Sequence, residues 1–370
     1  MTAVAADEVI DFTLPAELDA DAPPEAQGRG RDDVRLLVAS RADGRLGGEQ
    51  LRHARLRDLP GILDPGDLLV VNTSATLPAA LPATRGDGTV LRTHVSGPVP
   101  GGRRWLVELR VPAGSGSTPF REARAGERLA LPAGGRLDLH EAFRPAAHGG
   151  ARLWEATLAL PEPLHAYLDR HGHPIRYRTH GRIWPLAAYQ TVFAVAPGSA
   201  ESPSAGRAFT AELVTTLVAA GVGITPLVLH TGVSSQEDSE RPYPEWYRVP
   251  AATAERINAA RANGHRVIAV GTTVARALET VAGEGGRVAA GQGWTDVEIT
   301  PDRGVRGFDG LLTGWHEPRS SHLRLLEAVA GRPLLEASYA AALDGGYRWH
   351  EFGDLHLVLP LKQRSGSGPT

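Results

Sequence analysis

Short apolar runs separated by glycine, proline and charged residues pattern this chain, and their texture changes twice along its length. VRLLVAS (34–40) and LLVVN (68–72) predict buried strands, with the ADG that follows the first as a turn. Residues 19–31 mix proline, glycine and acids without apolar period and predict an irregular loop. From about 79 to 159 the runs TVLRTHV, RRWLVELRV, ERLALP and ARLWEATLAL are cut repeatedly by glycine and proline. That texture predicts a small antiparallel barrel or sandwich, inserted as a domain of its own.

The second half alternates strand with helix. ITPLVLH (224–230), RVIAVG (266–271), TDVEIT (295–300) and the closing LHLVL predict strands. A helix capped by Thr253 should run to Asn263 and stop at Gly264; another, capped by Thr272 or Thr273, should put Val274, Leu278 and Val281 on one face and end at Gly283. Further helices are expected at 321–330 and at 333–343, the latter with Pro333 in its first turn. Connections of this length suit parallel strands, so the expected class is α/β with an insertion.

Composition narrows the picture. The 370 residues are 42% hydrophobic and 22% charged, values that exclude a disordered or fibrous chain. Without cysteine there is no disulfide framework, thiolate metal site or cysteine nucleophile. No apolar run approaches the roughly 18–20 residues that span a bilayer, and MTAVAADEV is not a signal peptide, so a cytoplasmic protein is expected. A net charge of −3 means that any nucleic-acid contact must come from a local patch.

Common catalytic motifs are missing. There is no phosphate loop of the G-x-x-x-x-G-K-[ST] type, no G-x-G-x-x-G helix opening, no H-E-x-x-H pair and no G-x-S-x-G elbow. What recurs is an apolar strand with polar residues at its carboxyl end. His230 and Thr231 follow one strand; Gly271, Thr272 and Thr273 join another to a helix that carries Arg276 and Glu279. In open α/β sheets the ligand crevice lies outside those ends. The Gly-Thr-Thr turn offers a helix start suited to a carboxylate or other anion; the alternative is that the threonines only cap the helix.

GTTVARALE, AYQTVFAVAPGSAESPSAGRAFT (188–210), DGLLTGWHEP (309–318) and YRWHEFGDLHL (347–357) resemble the S-adenosylmethionine:tRNA ribosyltransferase-isomerase family of queuosine biosynthesis. RDDVRLL (31–37) and PGDLLVVNTSATLPAAL (65–81) add segments in the same order, so the resemblance runs from about Asp11 to Leu359. It implies a discontinuous α/β main domain (1–78 and 160–362) with an inserted small antiparallel β-barrel (79–159); the composition of the tail (363–370) predicts disorder there. The resemblance implies S-adenosylmethionine as co-substrate, which gives up its ribosyl group to the amine of 7-aminomethyl-7-deazaguanine in tRNA, followed by rearrangement, with no metal. The enzyme must then supply a base, orientation and a water-excluding site for a cation.

The chain also departs from the family pattern. Asn72-Thr73-Ser74-Ala75 and Ala80 stand where the family usually reads N-D-T-R-V-x-P-A-R, so both arginines are gone. Gly206-Arg207-Ala208-Phe209-Thr210 has alanine in place of the histidine of G-L-H-F-T, and Glu240 to Glu245 keeps only the last glutamate of H-x-M-H-x-E. Thr313 to Pro318 retains the histidine of T-N-F-H-L-P as His316. Losing an arginine removes a fixed cation and its fork of donors. The substrate is expected to differ at that end, which leaves open a relative acting on a small-molecule acceptor, or a catalytically silent module that binds S-adenosylmethionine or RNA.

The candidate catalytic residues are therefore His316, His230 and Glu245. Candidate substrate-binding residues are Gly271, Thr272, Thr273, Arg276, Asn72, Thr73, Thr210, Asp309, Tyr347, Arg348 and Asp354. Against these stand plainer roles: histidines bonded to backbone, a solvated Glu245, an Arg276 paired with Glu279 at i, i+3, an Asp354 that starts a turn. In HAYLDRHGHPIRYRTHGR (165–182), Arg170, Arg176, Arg178 and Arg182 interleave with Tyr167 and Tyr177. That composition suits phosphate contact and base stacking, a candidate tRNA patch, or else a solvated basic loop.

Overall fold

The computed structural model describes residues 10–40, 50–145, 150–178, 181–234 and 243–359. The turn expected after Ser40 and the tail at 363–370 lie outside the described residues. Along the chain come β1 (Arg35–Ser40), β2 (Gln50–Arg55), β3 (Leu68–Asn72) and the short β4 (Ser74–Thr76). Then follow β5 (Ala80–Arg85), β6 (Val90–Pro98), β7 (Trp105–Ala113), β8 (Gly116–Pro119), β9 (Arg128–Ala130), β10 (Arg136–Ala142) and β11 (Leu153–Ala159). After helix α1 (Leu164–His171) come β12 (Ala196–Ser199), α2 (Ala211–Ala219), β13 (Gly223–Leu229), β14 (Glu245–Val249), α3 (Ala251–Ala262) and β15 (Val267–Val270). The chain closes with α4 (Thr272–Val281), β16 (Gly291–Thr295), β17 (Gly310–Gly314), α5 (Ser321–Ala330), α6 (Arg332–Asp344) and β18 (Leu355–Leu359).

Among the described residues, nine strands form one sheet in the order β16-β14-β13-β3-β15-β17-β18-β1-β2. Neighbours among β13, β3, β15 and β17 are parallel, so their carboxyl ends share one rim. β14 is antiparallel to β13 and therefore begins at that rim. Period-two alternation then sets the layers. Leu68 and Val70 of β3 share one core cluster with Val274 and Leu278 of α4 and Leu323 and Leu326 of α5, whereas Leu69 and Val71 belong to a second cluster with Leu213 and Leu217 of α2. Each such side chain contributes about 1.5–3 kcal/mol on burial, and cover on both faces is why LLVVN reads as an unbroken apolar run.

A second sheet closes on itself. Its order is β11-β10-β9-β5-β6-β7, and β11 also pairs with β7, with β8 appended to β7's other edge. Leu81, Val107, Leu109, Leu139 and Trp154 fill the interior, where Tyr167 and Leu168 of α1 join them. An α/β fold with an antiparallel barrel inserted in sequence is thus the observed architecture. β5 and β10 were not among the expected runs, since Pro82 interrupts one and Asp138, His140 and Glu141 break the apolar pattern of the other.

Three local expectations are corrected. TDVEIT contributes only its first residue to a strand, because β14 begins at Glu245, opposite Thr295, and offers no partner beyond it. Thr253 does not cap α3; the helix starts at Ala251 after Pro250, and the Thr253 hydroxyl donates to the Pro226 carbonyl at 2.6 Å, tying α3 to β13. Neither Thr272 nor Thr273 caps α4, whose N-cap is Gly271 at φ +100° and whose last residue is Val281.

Candidate active site

The polar residues after the parallel strands meet where expected, at the carboxyl rim, in a cleft of about 340 Å³. Gly271, Thr272, Thr273, Arg276, Glu245 and His316 all line it. Gly271 makes the turn from β15 into α4: an added Cβ would stand 3.3 Å from the Ala205 Cβ, in a backbone conformation that L side chains rarely adopt. The first turn of α4 therefore reaches the cleft with backbone N–H groups that have no intrahelical acceptor.

Arg276 does not pair with Glu279. It bonds the Glu245 carboxylate and donates to the carbonyls of Tyr243, Thr295 and Val297, each at 3.2 Å. The other Glu245 oxygen accepts from the Gly232 N–H at 2.7 Å. Glu279 is buried and holds Arg303 and the N–H groups of Arg306 and Gly307. His316 Nε2 lies 3.0 Å from the Thr313 hydroxyl, and its ring is stacked on His322. Burial, reinforced by neighbouring histidines, holds His316 well below the usual imidazole range; burial takes His322 down to about 4. Both rings are neutral near pH 7.

Other candidates stand just behind the lining. His230 stacks on Trp246 and bonds the Ser74 hydroxyl at 2.8 Å, and burial brings it down to about 4. Its ring packs so closely on Gly198 that a Cβ there would overlap it. Asn72 clamps β3 to β13, donating to the Leu229 carbonyl at 2.8 Å and accepting from the Leu229 and Ser74 N–H groups. Its amide also lies 3.4 Å from the Thr273 hydroxyl, beneath the cleft. Thr73 spends its hydroxyl on the Leu227 carbonyl at 3.0 Å.

Five candidates hold the scaffold and do not line the cleft. Thr210 caps α2, accepting from the Leu213 N–H at 3.1 Å. Asp309 precedes β17 and so sits at the opposite rim, bonded to Arg261 and to the Val267 N–H. Tyr347 is buried under the Arg35 guanidinium and bonds His53 at 2.8 Å; burial pushes its hydroxyl up to about 12. Asp354 gathers the backbone N–H groups of Arg35 and Arg348, and the Arg348 side chain reaches the Glu17 carbonyl.

The arginine stretch splits. Arg176 and Arg178 line a second cavity of about 510 Å³ that shares Tyr177, Ser234, His350 and Glu351 with the cleft. Arg178 pairs with Asp19, and Arg182 lies over the Trp184 ring at 4.8 Å. Arg170 points outward beside Glu162. Tyr167 is unavailable for stacking on a base, being buried in the barrel with its hydroxyl on the Pro132 carbonyl.

Sequence reasoning missed Glu201, Ser234, His322, His350 and Glu351, all of which line the cleft. Glu201 accepts from Tyr177, from the Ser234 N–H at 2.6 Å and from the Ser234 hydroxyl. His350 holds φ +74°, a costly conformation for a non-glycine residue, with Nε2 3.2 Å from a Glu317 oxygen. A buried ionic cluster backs this wall. Glu108 of β7 receives Arg110 at 2.6 Å, Arg152 at 2.9 Å and His94 at 3.1 Å. Arg152 bonds the Tyr243 hydroxyl, and Arg110 lies 4.6 Å from the Tyr177 ring centroid.

Among the described residues no helix is long and apolar enough to cross a membrane. A family model described as "Queuosine biosynthesis protein" matches residues 8–358. The chain is 37% identical over 363 residues to an S-adenosylmethionine:tRNA ribosyltransferase-isomerase of Moorella thermoacetica, covering 95% of this chain and 99% of that one. A protein of the same name from Symbiobacterium thermophilum is 37% identical over 360 residues, covering 94% and 98%. The crystal structure of S-adenosylmethionine tRNA ribosyltransferase from Thermotoga maritima is similar at a TM-score of 0.50 and 27% identity, covering 95% of this chain and 99% of that one.

Proposed function

The chain belongs to the S-adenosylmethionine:tRNA ribosyltransferase-isomerase family of queuosine biosynthesis, and we propose that the cleft at the sheet rim is where it binds and breaks S-adenosylmethionine. The observation that carries this reading is charge. Among the described lining residues Glu245, Glu298, Glu317 and Glu351, four carboxylates, face a single arginine, Arg276. His316 and His322 add no positive charge, since burial keeps them neutral. A sulfonium is a cation that cannot shed its charge. One carboxylate about 4 Å from it is worth about 4 kcal/mol at an effective dielectric of 20, against about 1 in bulk water. The volume suits a small ligand, whose carboxylate the first turn of α4 at Gly271, Thr272 and Thr273 is built to receive.

In this reading His316, a neutral imidazole, accepts the proton that the sulfonium makes acidic, and Glu245 faces the positive sulfur while Arg276 fixes its position. His230, Asn72 and Thr73 support that wall from behind. Arg176 and Arg178, in the neighbouring cavity, meet the RNA backbone on the way to the cleft, with Arg170 and Arg182 further out. The main unit is taken as 1–78 with 160–362 and the barrel as 79–159, because β5 to β11 bond into one closed sheet. A tRNA substrate places the work in the cytoplasm.

The test is product release. S-adenosylmethionine with tRNA carrying the 7-deazaguanine amine should yield adenine and methionine. Release that is equally fast without RNA would replace tRNA by a small-molecule acceptor, and tight binding without release would make the chain a silent module.

A further inference from the structure

Glu201 is the cleft carboxylate with the most complete set of protein donors, and none of the roles assigned above uses it. It stands two residues after β12, and its donors come from elsewhere: Tyr177 from the segment after α1, Ser234 from the loop after β13. Tyr177 is itself fixed, with Arg110 over its face and the His94 ring at its edge, 5.5 Å between centroids. An ionised carboxylate offers about four acceptor positions. Three are filled by the Tyr177 hydroxyl and the two Ser234 donors, which leaves one for a ligand in the cleft.

The charged and titratable groups around Glu201 are Tyr177 and Glu351, with Glu108 and Arg110 beyond the tyrosine. Burial pushes the Glu201 carboxyl up to about 7, against the pull of its Ser234 and Tyr177 bonds, and Glu351 adds to the rise. Near neutral pH the group can thus both hold a cation and keep a proton. A sulfonium sulfur carries no proton of its own, whereas an ammonium nitrogen carries three.

We propose that Glu201 is the seat of the acceptor's amine, binding it as an ammonium and taking one proton from it. The step balances: R–NH3⁺ and the Glu201 carboxylate become R–NH2 and a neutral carboxylic acid, and the freed nitrogen lone pair is then available to form the bond to the ribosyl carbon. The assignment rests on the ribosyl-transfer reading of this cleft.

The experiment measures kcat/KM for adenine release with the amine-bearing tRNA between about pH 5.5 and 9, beside S-adenosylmethionine binding by calorimetry. It compares the unaltered chain with Glu201→Gln, Glu201→Asp and Tyr177→Phe. The unaltered chain should show a limb that rises through pH 7. Glu201→Gln should lose that limb and about 10²-fold or more in rate, with S-adenosylmethionine affinity within threefold. Glu201→Asp should keep a limb at reduced rate, and Tyr177→Phe, which removes a bond that favours the carboxylate, should move the limb to higher pH. An unshifted limb in Tyr177→Phe, a rate within threefold in Glu201→Gln, or a loss of S-adenosylmethionine binding that matches the loss of rate would each overturn the assignment. An unaltered chain that neither binds S-adenosylmethionine nor releases adenine would overturn the ribosyl-transfer reading itself, and this proposal with it.

Discussion

The rings of His316 and His322 lie flat against each other, their centroids 4.5 Å apart and their planes inclined by 3°. Two imidazoles so placed cannot both carry charge, and burial already favours the neutral form of each. His316→Ala should therefore lower turnover by about 10²-fold while leaving near-ultraviolet circular dichroism unchanged. His316 itself should contribute no ionisation near pH 6.5 to the rate profile. Full activity in the variant would remove His316 from the chemistry.

Arg276 spreads its donors over one carboxylate and three carbonyls, a fan that a lysine ammonium cannot reproduce. Arg276→Lys is expected to cost about 2 kcal/mol in urea unfolding and to weaken S-adenosylmethionine binding. Retention of both would mean that charge alone is what this position supplies.

Glu108 is wholly buried. Burial opposes its ionisation, but the His94 hydrogen bond and the charges of Arg110 and Arg152 outweigh that and hold the carboxyl below its ordinary value of 4.5. A group depressed in the folded state contributes stability that is fully present above pH 4.5 and lost as pH falls below it. Glu108→Gln should lower stability at neutral pH by about 3 kcal/mol, since two buried arginines lose their counter-charge. It should also flatten the decline in stability below pH 4.5. Denaturant unfolding at several pH values reads both effects.

The four arginines of the 165–182 stretch should not contribute equally to RNA binding. Arg176 and Arg178 border the cavity beside the cleft, while Arg170 is exposed next to Glu162. Removing one arginine–phosphate pairing should reduce the slope of log affinity against log salt by roughly 0.7, the value for a single-stranded backbone. We expect that change for Arg176→Ala and Arg178→Ala, and little for Arg170→Ala. Equal slopes in all variants would take the stretch out of the interface.

Much of the architecture was legible because single elements carry their own pattern. LLVVN is apolar at every position since the sheet is covered on both faces, and Gly271 to Thr273, Glu245 and His316 were readable because each stands directly at a strand end on the shared rim. Glu201 was not, because its meaning comes from Tyr177 and Ser234, 24 and 33 residues away, and one glutamate in an irregular segment has no period. Asp309, Tyr347, Arg348 and Asp354 stand away from the cleft for the opposite reason. The segments that resemble the family contain residues that brace turns and helices as well as residues that face the ligand. Only three-dimensional position separates them.

The Glu108 cluster ties the barrel to the wall of the cleft. Through Arg152 it steadies Tyr243, and through Arg110 it steadies Tyr177, both of which form part of the cleft's surface. Anyone hoping to reshape the cleft would do better to begin with the polar side of β7 than with the rim itself, because a change there would tilt two aromatic rings at once. By the same logic, swapping in a foreign barrel of equal size would yield a well-folded protein with a misaligned workplace.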